Sequence, residues 1–391
     1  MISFENTEIA FQSKSDNDLK KAYWLFKIIA SPSIVKMGKW GTNLALSTGL
    51  PIKGLIKRTI FSQFCGGESI SDSEPTITLL AKFGIGTILD YSIEGKTTDE
   101  DFDATVDEII ATIQKARNNA DIPFAVFKVT GIGRFDILEK ANTFDADLTE
   151  AEQIELSTII DRIDRICSAA HKADVRVFID AEESWIQDVI DRITLDMMRK
   201  YNGKRSIVFN TVQMYRHDRL EFLREQLRVA RDEQFYLGIK LVRGAYMEKE
   251  RARAEKLNYP SPIQPDKAAS DRDFDSALEL MLENISILTL CAGTHNERSS
   301  LYLTELMERF NIGAADKRIW FAQLLGMSDH ISYNLAYHGY NVAKYVPYGP
   351  VKEVMPYLLR RADENTSVAG QTGRELGLIM KERQRRKDGV R

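Results

Sequence analysis

The sequence predicts an α/β fold, a (β/α)8 barrel of the TIM type with N-terminal helices packed on it, from three observations. Eight short apolar runs are bounded by turn residues. The segments between them carry apolar residues at helical spacing, as in residues 151–172 and 218–233. A polar side chain stands at the end of each run. The runs cover residues 86–92, 122–130, 174–183, 206–215, 235–244, 285–296, 318–326 and 341–349.

Alternation of strands and helices indicates a parallel sheet covered by helices, because each parallel connection must cross over. Eight such units in roughly 265 residues match a barrel, whose usual size is about 250 residues. A doubly wound open sheet is the competing fold. The polar strand ends favour the barrel, since there they would converge on one mouth. They are Asp90, Lys128, Asp180, Gln213, Arg243, Thr294, His295, Asn296, Gln323 and Tyr345.

We divide the chain into an N-terminal helical segment (residues 1–85), the barrel (86–380) and a basic C-terminal tail (381–391). No Gly/Ser/Pro-rich linker marks a separate domain. Residues 19–61 hold eight lysines and arginines and no acid, with aromatic residues at helical spacing among them. Two basic ends on an acidic body suggest a surface for anionic lipid or polyanions. For the N-terminal segment, a solvated helix face over the barrel core is the favoured interpretation, and a helix on a membrane surface is the alternative. We expect no nucleic-acid partner.

The features that the sequence lacks exclude several classes of protein. With 43% hydrophobic residues and no apolar run of about 18, the chain is neither largely disordered nor an integral membrane protein. Cys65, Cys167 and Cys291 lie too far apart for a disulfide framework, which indicates a reducing compartment. We expect no signal peptide and no metal site, and no common nucleotide-binding motif is present.

The densest functional signal lies in residues 345–367, which read YVPYGPVKEVMPYLLRRADENTS. Tyr357, Arg360, Arg361 and Glu364 recur at spacings of three and four, so they neighbour one another on a helix. Paired guanidinium groups suit a carboxylate or a phosphate, and Glu364 would hold one arginine in place. A surface ladder of ion pairs is the structural alternative.

Four other strand ends carry charge or several donors. Lys128 lies in the apolar run FAVFKVT, as a catalytic amine or a paired cation, and Asp180 ends VFIDAEE. KLVRGAY (240–246) places two cations before a Gly-Ala step that lets a ligand approach the backbone. Residues 294–296 (THN) suit phosphate or ribose hydroxyls. Together these residues indicate an enzyme that binds a small anion with a phosphate-bearing cofactor, and they leave its reaction open.

With these motifs in hand, the chain resembles the proline dehydrogenase family from about residue 64 to 367. The shared motifs are FCGGES, ILDYSIEGK, FIDAEES, KLVRGAYMEKER, GTHN, QLLGM and YVPYGPVKEVMPYLLRRADENTS. KLVRGAY with YLLRRADENTS matches the monofunctional, mitochondrial-type branch rather than the bifunctional proline-utilisation proteins. The resemblance implies a distorted (β/α)8 barrel with non-covalent FAD. It also implies oxidation of L-proline to Δ1-pyrroline-5-carboxylate by hydride transfer to flavin N5, with a quinone as the next electron acceptor.

The resemblance also assigns roles to individual residues. Lys128, Arg360 and Arg361 would hold the substrate carboxylate, while Tyr345, Tyr357 and Leu324 would pack on the ring. Glu364 would belong to the same substrate site by holding one of the arginines in place. Asp180, Lys240 and Tyr345 would act at the reacting centre, although Lys240 replaces an arginine of the bifunctional proteins. Glu94 would pair with an arginine as a gate. FAD would contact Gln213, Lys240, Val242, Arg243, Gly244, Ala245, Tyr246, Thr294, His295 and Asn296.

Other functions stay open beside this one. Tyr345 favours proline over 4-hydroxyproline, because hydroxyproline-using relatives have a smaller residue at the matching place. A flavin-free lyase with a Schiff base on Lys128 and a non-enzymatic binder are the alternatives from other classes. A quinone acceptor and the basic N-terminal block predict a cytoplasmic protein that contacts the inner membrane peripherally.

Overall fold

The computed structural model describes residues 2–29, 53–93, 97–143, 145–367 and 371–389. Its backbone contacts divide the chain into two compact units, residues 1–94 with 323–391 and residues 95–322. Within the described ranges no helix is both long and apolar enough to cross a membrane.

Eight parallel strands in the described residues close into a barrel, and their order around it follows the sequence. The strands are β1 (Ile85–Tyr91), β2 (Phe124–Phe127), β3 (Arg176–Ile179), β4 (Val208–Gln213), β5 (Leu237–Val242), β6 (Leu288–Gly293), β7 (Ile319–Leu324) and β8 (Val342–Tyr348). Each lies in its predicted run, apart from the first residue of β1. The predicted barrel is therefore confirmed, and the open sheet is wrong. Nearly every strand residue is buried, as expected when helices cover a parallel sheet.

Helices follow the strands, as the amphipathic segments predicted. They are α1 (Thr7–Ala10), α2 (Asp16–Ile29), α3 (Lys53–Ile56), α4 (Ser62–Phe64), α5 (Glu74–Ala81), α6 (Asp99–Ala116), α7 (Phe135–Ala141), α8 (Glu150–Ala173), α9 (Ser184–Tyr201), α10 (Arg219–Glu233), α11 (Met247–Leu257), α12 (Lys267–Glu283), α13 (Glu297–Arg309), α14 (Asp329–Tyr337), α15 (Met355–Ser367) and α16 (Gln371–Asp388). A π-helical turn spans Lys57–Phe61, and 3₁₀ turns span Ser71–Ser73, Val129–Gly131 and Ile285–Ile287.

The ends of α8 show why the predicted segment 151–172 extends by a residue on each side. Thr149 accepts a hydrogen bond from the Glu152 N–H, and the Glu152 side chain accepts one from the Thr149 N–H. This capping box satisfies two N–H groups that have no partner inside the helix. At the other end Asp174 adopts a left-handed conformation with φ +58°, which stops the helix before β3.

Aromatic rings fill the barrel at the start of β2. Phe124 stacks on Phe178 with ring centroids 4.4 Å apart, and the Trp320 ring stands edge-on to Phe124 at 5.2 Å. Trp320 belongs to β7, so this contact crosses the interior. The Arg176 guanidinium lies over both the Phe124 and Trp320 rings. This layer closes the barrel near the amino ends of the strands and leaves their carboxyl ends for a site.

In the unit of residues 1–94 and 323–391, the N-terminal helices and α16 form an apolar core. Phe11, Leu19 and Phe26 from the N-terminal helices pack with Leu378 and Ile379 of α16. Polar contacts flank this core at the basic end of α16. The Arg386 guanidinium pairs with Asp16 at 2.8 Å and donates to the Phe11 carbonyl at 3.0 Å.

Other basic residues of α16 are also paired. Fully buried Glu382 accepts hydrogen bonds from Arg385 and Arg386. Arg385 and Lys381 form ion pairs with Glu8 and Glu5. These charges dock α16 on the N-terminal helices, so the predicted lipid contact depends on the N-terminal segment. Residues 30–52, which hold part of its basic block, lie outside the described residues. The segment boundaries at 85 and 380 stay predictions.

Candidate active site

A buried ion pair joins the ends of two strands in residues 95–322. The Lys240 ammonium on β5 pairs with the carboxylate of Asp180, which follows β3. Only 4% of Lys240 is exposed, and its ammonium lies 5.1 Å from the centroid of the Phe178 ring. A buried cation needs an anion to offset its lost hydration. The structure thus pairs two of the residues that the resemblance assigns to the reacting centre.

Gln213 links the ends of three successive strands. Its side-chain Nε2 donates to the Glu182 carbonyl at 2.7 Å, and its Oε1 accepts the Ala245 N–H at 3.3 Å. Gln213 is itself the last residue of β4 and is 3% exposed. The amide therefore fixes the segments that follow β3 and β5.

The backbone after β5 takes a path that only glycine allows. Gly244 has φ +135°, and a Cβ there would lie 2.6 Å from the Tyr215 ring. The Tyr215 N–H donates to the Arg243 carbonyl at 2.7 Å, which holds the two segments together. Gly244 and Ala245 are exposed, so their backbone is open to a ligand.

Arg243 is held in one orientation by three side chains. Its Nε donates to Asp271 at 2.7 Å, and its terminal nitrogens donate to Thr294 at 2.8 Å and Ser299 at 2.9 Å. The guanidinium also lies 4.4 Å from the centroid of the Phe274 ring. These contacts couple the segment after β5 to the one after β6.

The predicted Thr-His-Asn segment forms the turn into α13. The Asn296 N–H donates to the Thr294 hydroxyl at 3.1 Å, and the Asn296 side chain caps α13 by accepting the Ser299 N–H at 3.1 Å. His295 is half-buried between them. Two other predicted cofactor residues adjoin the segment after β5. Val242 lies opposite Gln213 in the sheet, and the Tyr246 ring centroid lies 5.6 Å from the Lys249 ammonium.

Lys128 lies one residue beyond its strand rather than inside it. Strand β2 ends at Phe127, because Lys128 begins the 3₁₀ turn Val129–Gly131. The side chain is half-buried. At this level the Asp180 N–H donates to the Phe127 carbonyl at 2.9 Å, so the ends of β2 and β3 are adjacent.

Glu182 is a buried residue that the sequence analysis missed. Its carboxylate accepts hydrogen bonds from the N–H and the hydroxyl of Thr130. Burial raises the pKa of this carboxyl to about 7, against the opposing effects of the Thr130 hydrogen bonds and the Lys128 charge. Its spacing of two from Asp180, in an extended run, is the signal that could have placed both acids on one side.

The predicted substrate residues other than Lys128 and Glu364 lie on β7, β8 and α15, in the unit of residues 1–94 and 323–391. Tyr345 on β8 is 8% exposed, and its carbonyl accepts the Leu325 N–H at 2.8 Å. Leu324 and Tyr357 pack in one apolar cluster with Phe64. A cluster of this kind can cover the methylene groups of a small ring.

The predicted helical neighbours Tyr357 and Arg361 are in contact. The Arg361 guanidinium lies 5.1 Å from the centroid of the Tyr357 ring, which matches their spacing of four on α15. Arg361 is buried and Arg360 is half-buried. The side chain of Glu364 and all of Glu94 lie outside the described residues, so their roles stay predictions.

Two further polar strand ends form local hydrogen bonds. The Ser92 hydroxyl donates to the Asp90 carboxylate at 2.6 Å, and the Ser332 hydroxyl donates to the Gln323 side chain at 2.8 Å. Both acceptors are buried. Asp90 binds the loop after β1 and Gln323 binds helix α14, which is the structural role that polar strand ends can have.

A closed parallel barrel with charged and polar side chains at successive strand ends has the architecture of a (β/α)8-barrel enzyme. The family model "Proline dehydrogenase" matches residues 73–374. The chain belongs to the proline dehydrogenase family, and it is an enzyme of that family. The resemblance seen in its motifs is thereby confirmed.

Curated relatives match most of this chain. Proline dehydrogenase 1, mitochondrial, of Dictyostelium discoideum is 32% identical, over 97% of this chain and 74% of its own. The carbapenem antibiotics biosynthesis protein CarD of Pectobacterium carotovorum is 34% identical, over 85% of this chain and 86% of its own. Hydroxyproline dehydrogenase of Xenopus laevis is 30% identical, over 98% of this chain and 90% of its own.

A similar solved structure is proline utilization A from Bdellovibrio bacteriovorus inactivated by N-propargylglycine. The two structures superpose with a TM-score of 0.73 at 19% identity, over 92% of this chain. At that identity the likeness shows the fold alone. The matched region is 38% of the larger protein.

Proposed function

We propose that this protein oxidises L-proline to Δ1-pyrroline-5-carboxylate, with non-covalently bound FAD as cofactor and a quinone as the next electron acceptor. The main support for the proposal is that side-chain hydrogen bonds connect the end of β4 and the segments that follow β3, β5 and β6. There the Lys240–Asp180 pair, the Gln213 bridge and the exposed backbone at Gly244 are held together by hydrogen bonds and one ion pair.

The donor set after β5 and β6 fits a phosphate-bearing cofactor. The segment at Gly244 has no room for a side chain, which favours close approach of a ligand to its backbone. Arg243, Thr294, His295 and Asn296 would bind phosphate and ribose oxygens, and Gln213, Val242, Ala245 and Tyr246 would line the same side. When bound, FAD supplies the hydride acceptor at flavin N5. Lys240 would place a positive charge near that atom, fixed by Asp180.

Cations and apolar side chains would bind the two ends of the substrate. Lys128, Arg360 and Arg361 would bind the carboxylate, because a buried anion without cations costs several kcal/mol. Leu324, Tyr345 and Tyr357 would pack on the ring methylenes and exclude water. Alignment of the reacting carbon is worth up to about 7–11 kcal/mol in model reactions. Glu94 and Glu364 would restrain the arginines between turnovers.

A matched pair of arginine variants tests this assignment. In Arg361→Met, KM for L-proline with a soluble quinone analogue should rise at least about 30-fold, because the carboxylate loses a charged partner. The control Arg224→Met removes an exposed arginine of α10 and should leave KM unchanged. FAD bound per chain should match wild type in both variants. An Arg361→Met enzyme with wild-type KM contradicts the carboxylate role.

Hydroxyproline is the second candidate substrate, because the matched Xenopus relative is named hydroxyproline dehydrogenase. Tyr345 argues for proline, since a buried phenol ring there would crowd a 4-hydroxyl group. We expect kcat/KM to favour L-proline over 4-hydroxyproline in wild type. Tyr345→Ser should narrow that ratio. An enzyme that already prefers 4-hydroxyproline with Tyr345 in place contradicts the substrate assignment.

A peripheral membrane contact through the N-terminal segment is part of the proposal, since a quinone acceptor is dissolved in lipid. Helix α2 exposes Lys20, Trp24 and Ile28 at spacings of four, and Trp24 and Ile28 are 51% and 47% exposed. Apolar side chains beside lysines on one helix face favour an anionic membrane surface. The corresponding location is the cytoplasmic side of the inner membrane.

A further inference from the structure

Glu182 connects the ends of three neighbouring strands although it belongs to none of the predicted binding sets. Its carboxylate accepts hydrogen bonds from Thr130, after β2, at the N–H (3.0 Å) and at the hydroxyl. Its own N–H donates to the Gln187 side chain of α9 at 2.7 Å, and its carbonyl accepts from Gln213 at 2.7 Å. Glu182 is 3% exposed, so water does not replace these partners.

The Thr130 contact bears directly on Lys128. Residues 128–131 form one 3₁₀ turn, closed by the hydrogen bond from the Gly131 N–H to the Lys128 carbonyl at 3.1 Å. Two groups of this turn, the Thr130 N–H and hydroxyl, donate hydrogen bonds to the Glu182 carboxylate. Fixing the turn fixes the backbone from which the Lys128 side chain starts.

The backbone N–H of Glu182 joins a buried network of hydrogen bonds through Gln187. Gln187 donates to Asp191 at 2.8 Å, and Asp191 pairs with Arg219 of α10 at 2.8 Å. Asp191 and Arg219 are both buried. Because Asp191 takes the amide hydrogens of Gln187, the Gln187 oxygen is directed at the Glu182 N–H.

We propose that Glu182 is a positioning residue, which holds the turn of residues 128–131 so that Lys128 meets the substrate carboxylate. This inference rests on the proposed function, in which Lys128 binds that carboxylate. Glu182 itself touches neither substrate nor reacting atoms in this account. Its loss should weaken substrate binding and leave the chemical step in place.

The ionisation of Glu182 gives the inference a signature in pH. Burial raises the pKa of its carboxyl to about 7. The charged groups that face it are Lys128, after β2, and Glu183, which pairs with Lys249 of α11 at 3.0 Å. The ionised carboxylate accepts two charge-assisted hydrogen bonds from Thr130, whereas the protonated carboxyl forms only neutral hydrogen bonds, which are about half as strong. As pH falls through about 7 the turn is held less well, so KM for proline should rise.

Two near-isosteric variants test the inference, with an exposed glutamate as control. Thr130→Val removes one donor to a charged acceptor, which corresponds to roughly a tenfold rise in KM with kcat within about twofold. Glu182→Gln cannot ionise, so its KM should stay flat from about pH 6 to 8, where the wild-type KM falls. Glu221→Gln on α10 should behave as wild type. FAD per chain is measured for each variant.

The outcomes separate this inference from the proposed function. Wild-type KM in Thr130→Val, together with an unchanged pH dependence in Glu182→Gln, overturns the inference while an active wild type keeps the proposed function. Loss of FAD at unchanged KM also overturns it, because Glu182 would then serve the cofactor. If Glu182→Gln does not fold, Thr130→Val decides alone. A wild-type protein that does not oxidise proline overturns both.

Discussion

Gly244 satisfies two constraints at once, one from its backbone and one from its neighbour. Its φ of +135° lies in a region that side chains disfavour, and the Tyr215 ring occupies the space a Cβ would need. Tyr215 is buried and cannot move away without disturbing β4 and its loop. The exposed face of this backbone is where the proposed cofactor approaches.

Gly244→Ala should therefore lose both stability and cofactor. Backbone strain costs about 1–3 kcal/mol, and the clash with Tyr215 adds about 1–3 kcal/mol. We expect a lower free energy of unfolding in denaturant and less FAD per chain. The control is Gly203→Ala, where nothing lies within 4 Å of the added Cβ and stability should change by less than about 0.5 kcal/mol. Full FAD content in a stable Gly244→Ala protein would contradict the proposed approach of FAD to the backbone at Gly244.

The segment between β7 and α14 is held by a fully buried lysine of β8. The Lys344 ammonium donates to the Asp329 carboxylate at 2.9 Å and to the carbonyls of Leu324 and Met327. The favourable charge of Lys344 keeps the pKa of Asp329 below its usual value, although burial acts in the opposite direction. One cation thus fixes the end of β7 at Leu324, a proposed substrate contact, and the loop that follows it.

Lys344→Met should destabilise the protein strongly. It removes the close partner of buried Asp329, and breaking a buried ion pair costs about 3–5 kcal/mol. The matched control Lys140→Met breaks an exposed pair with Glu152 and should cost at most about 1 kcal/mol. Denaturant unfolding of both variants measures the difference. Equal stabilities for the two variants would contradict the role of Lys344 in fixing this loop.

At the scale of the whole molecule, the sequence predicts the barrel well because its signals are local. An apolar run marks each strand, and helical spacing of apolar residues marks the helices between them. Each element can therefore be recognised from its own residues, without knowledge of its partners in the fold. Glu182 and the Arg243–Asp271 pair escaped prediction, because their partners lie far apart in the chain. The tail was predicted as a basic surface, yet Arg386 pairs with Asp16 across most of the sequence.

The proposed membrane contact depends on where the charges of the molecule lie, with α2 as the contacting helix. Charge reversal of three exposed lysines of α2 should lower the affinity for anionic vesicles, measured by co-sedimentation, by at least about 100-fold. The loss of three lysines alone removes about 3 kcal/mol, at about 1 kcal/mol each. The variant changes Lys20, Lys21 and Lys27 to Glu, and its control changes exposed Lys204, Lys256 and Lys317. Binding to uncharged vesicles should not differ. Equal losses in variant and control would show that net charge, not α2, governs binding.

An anaerobic titration with L-proline is the sharpest test of the proposed function, because it requires cofactor, substrate and chemistry in one sample. The purified protein should be yellow, release FAD on denaturation, and lose its visible flavin absorbance as L-proline is added. The Arg360→Met/Arg361→Met protein should retain FAD and need far more proline for the same loss. A folded wild-type protein that takes up no flavin, or that keeps its colour in excess L-proline, would contradict the account.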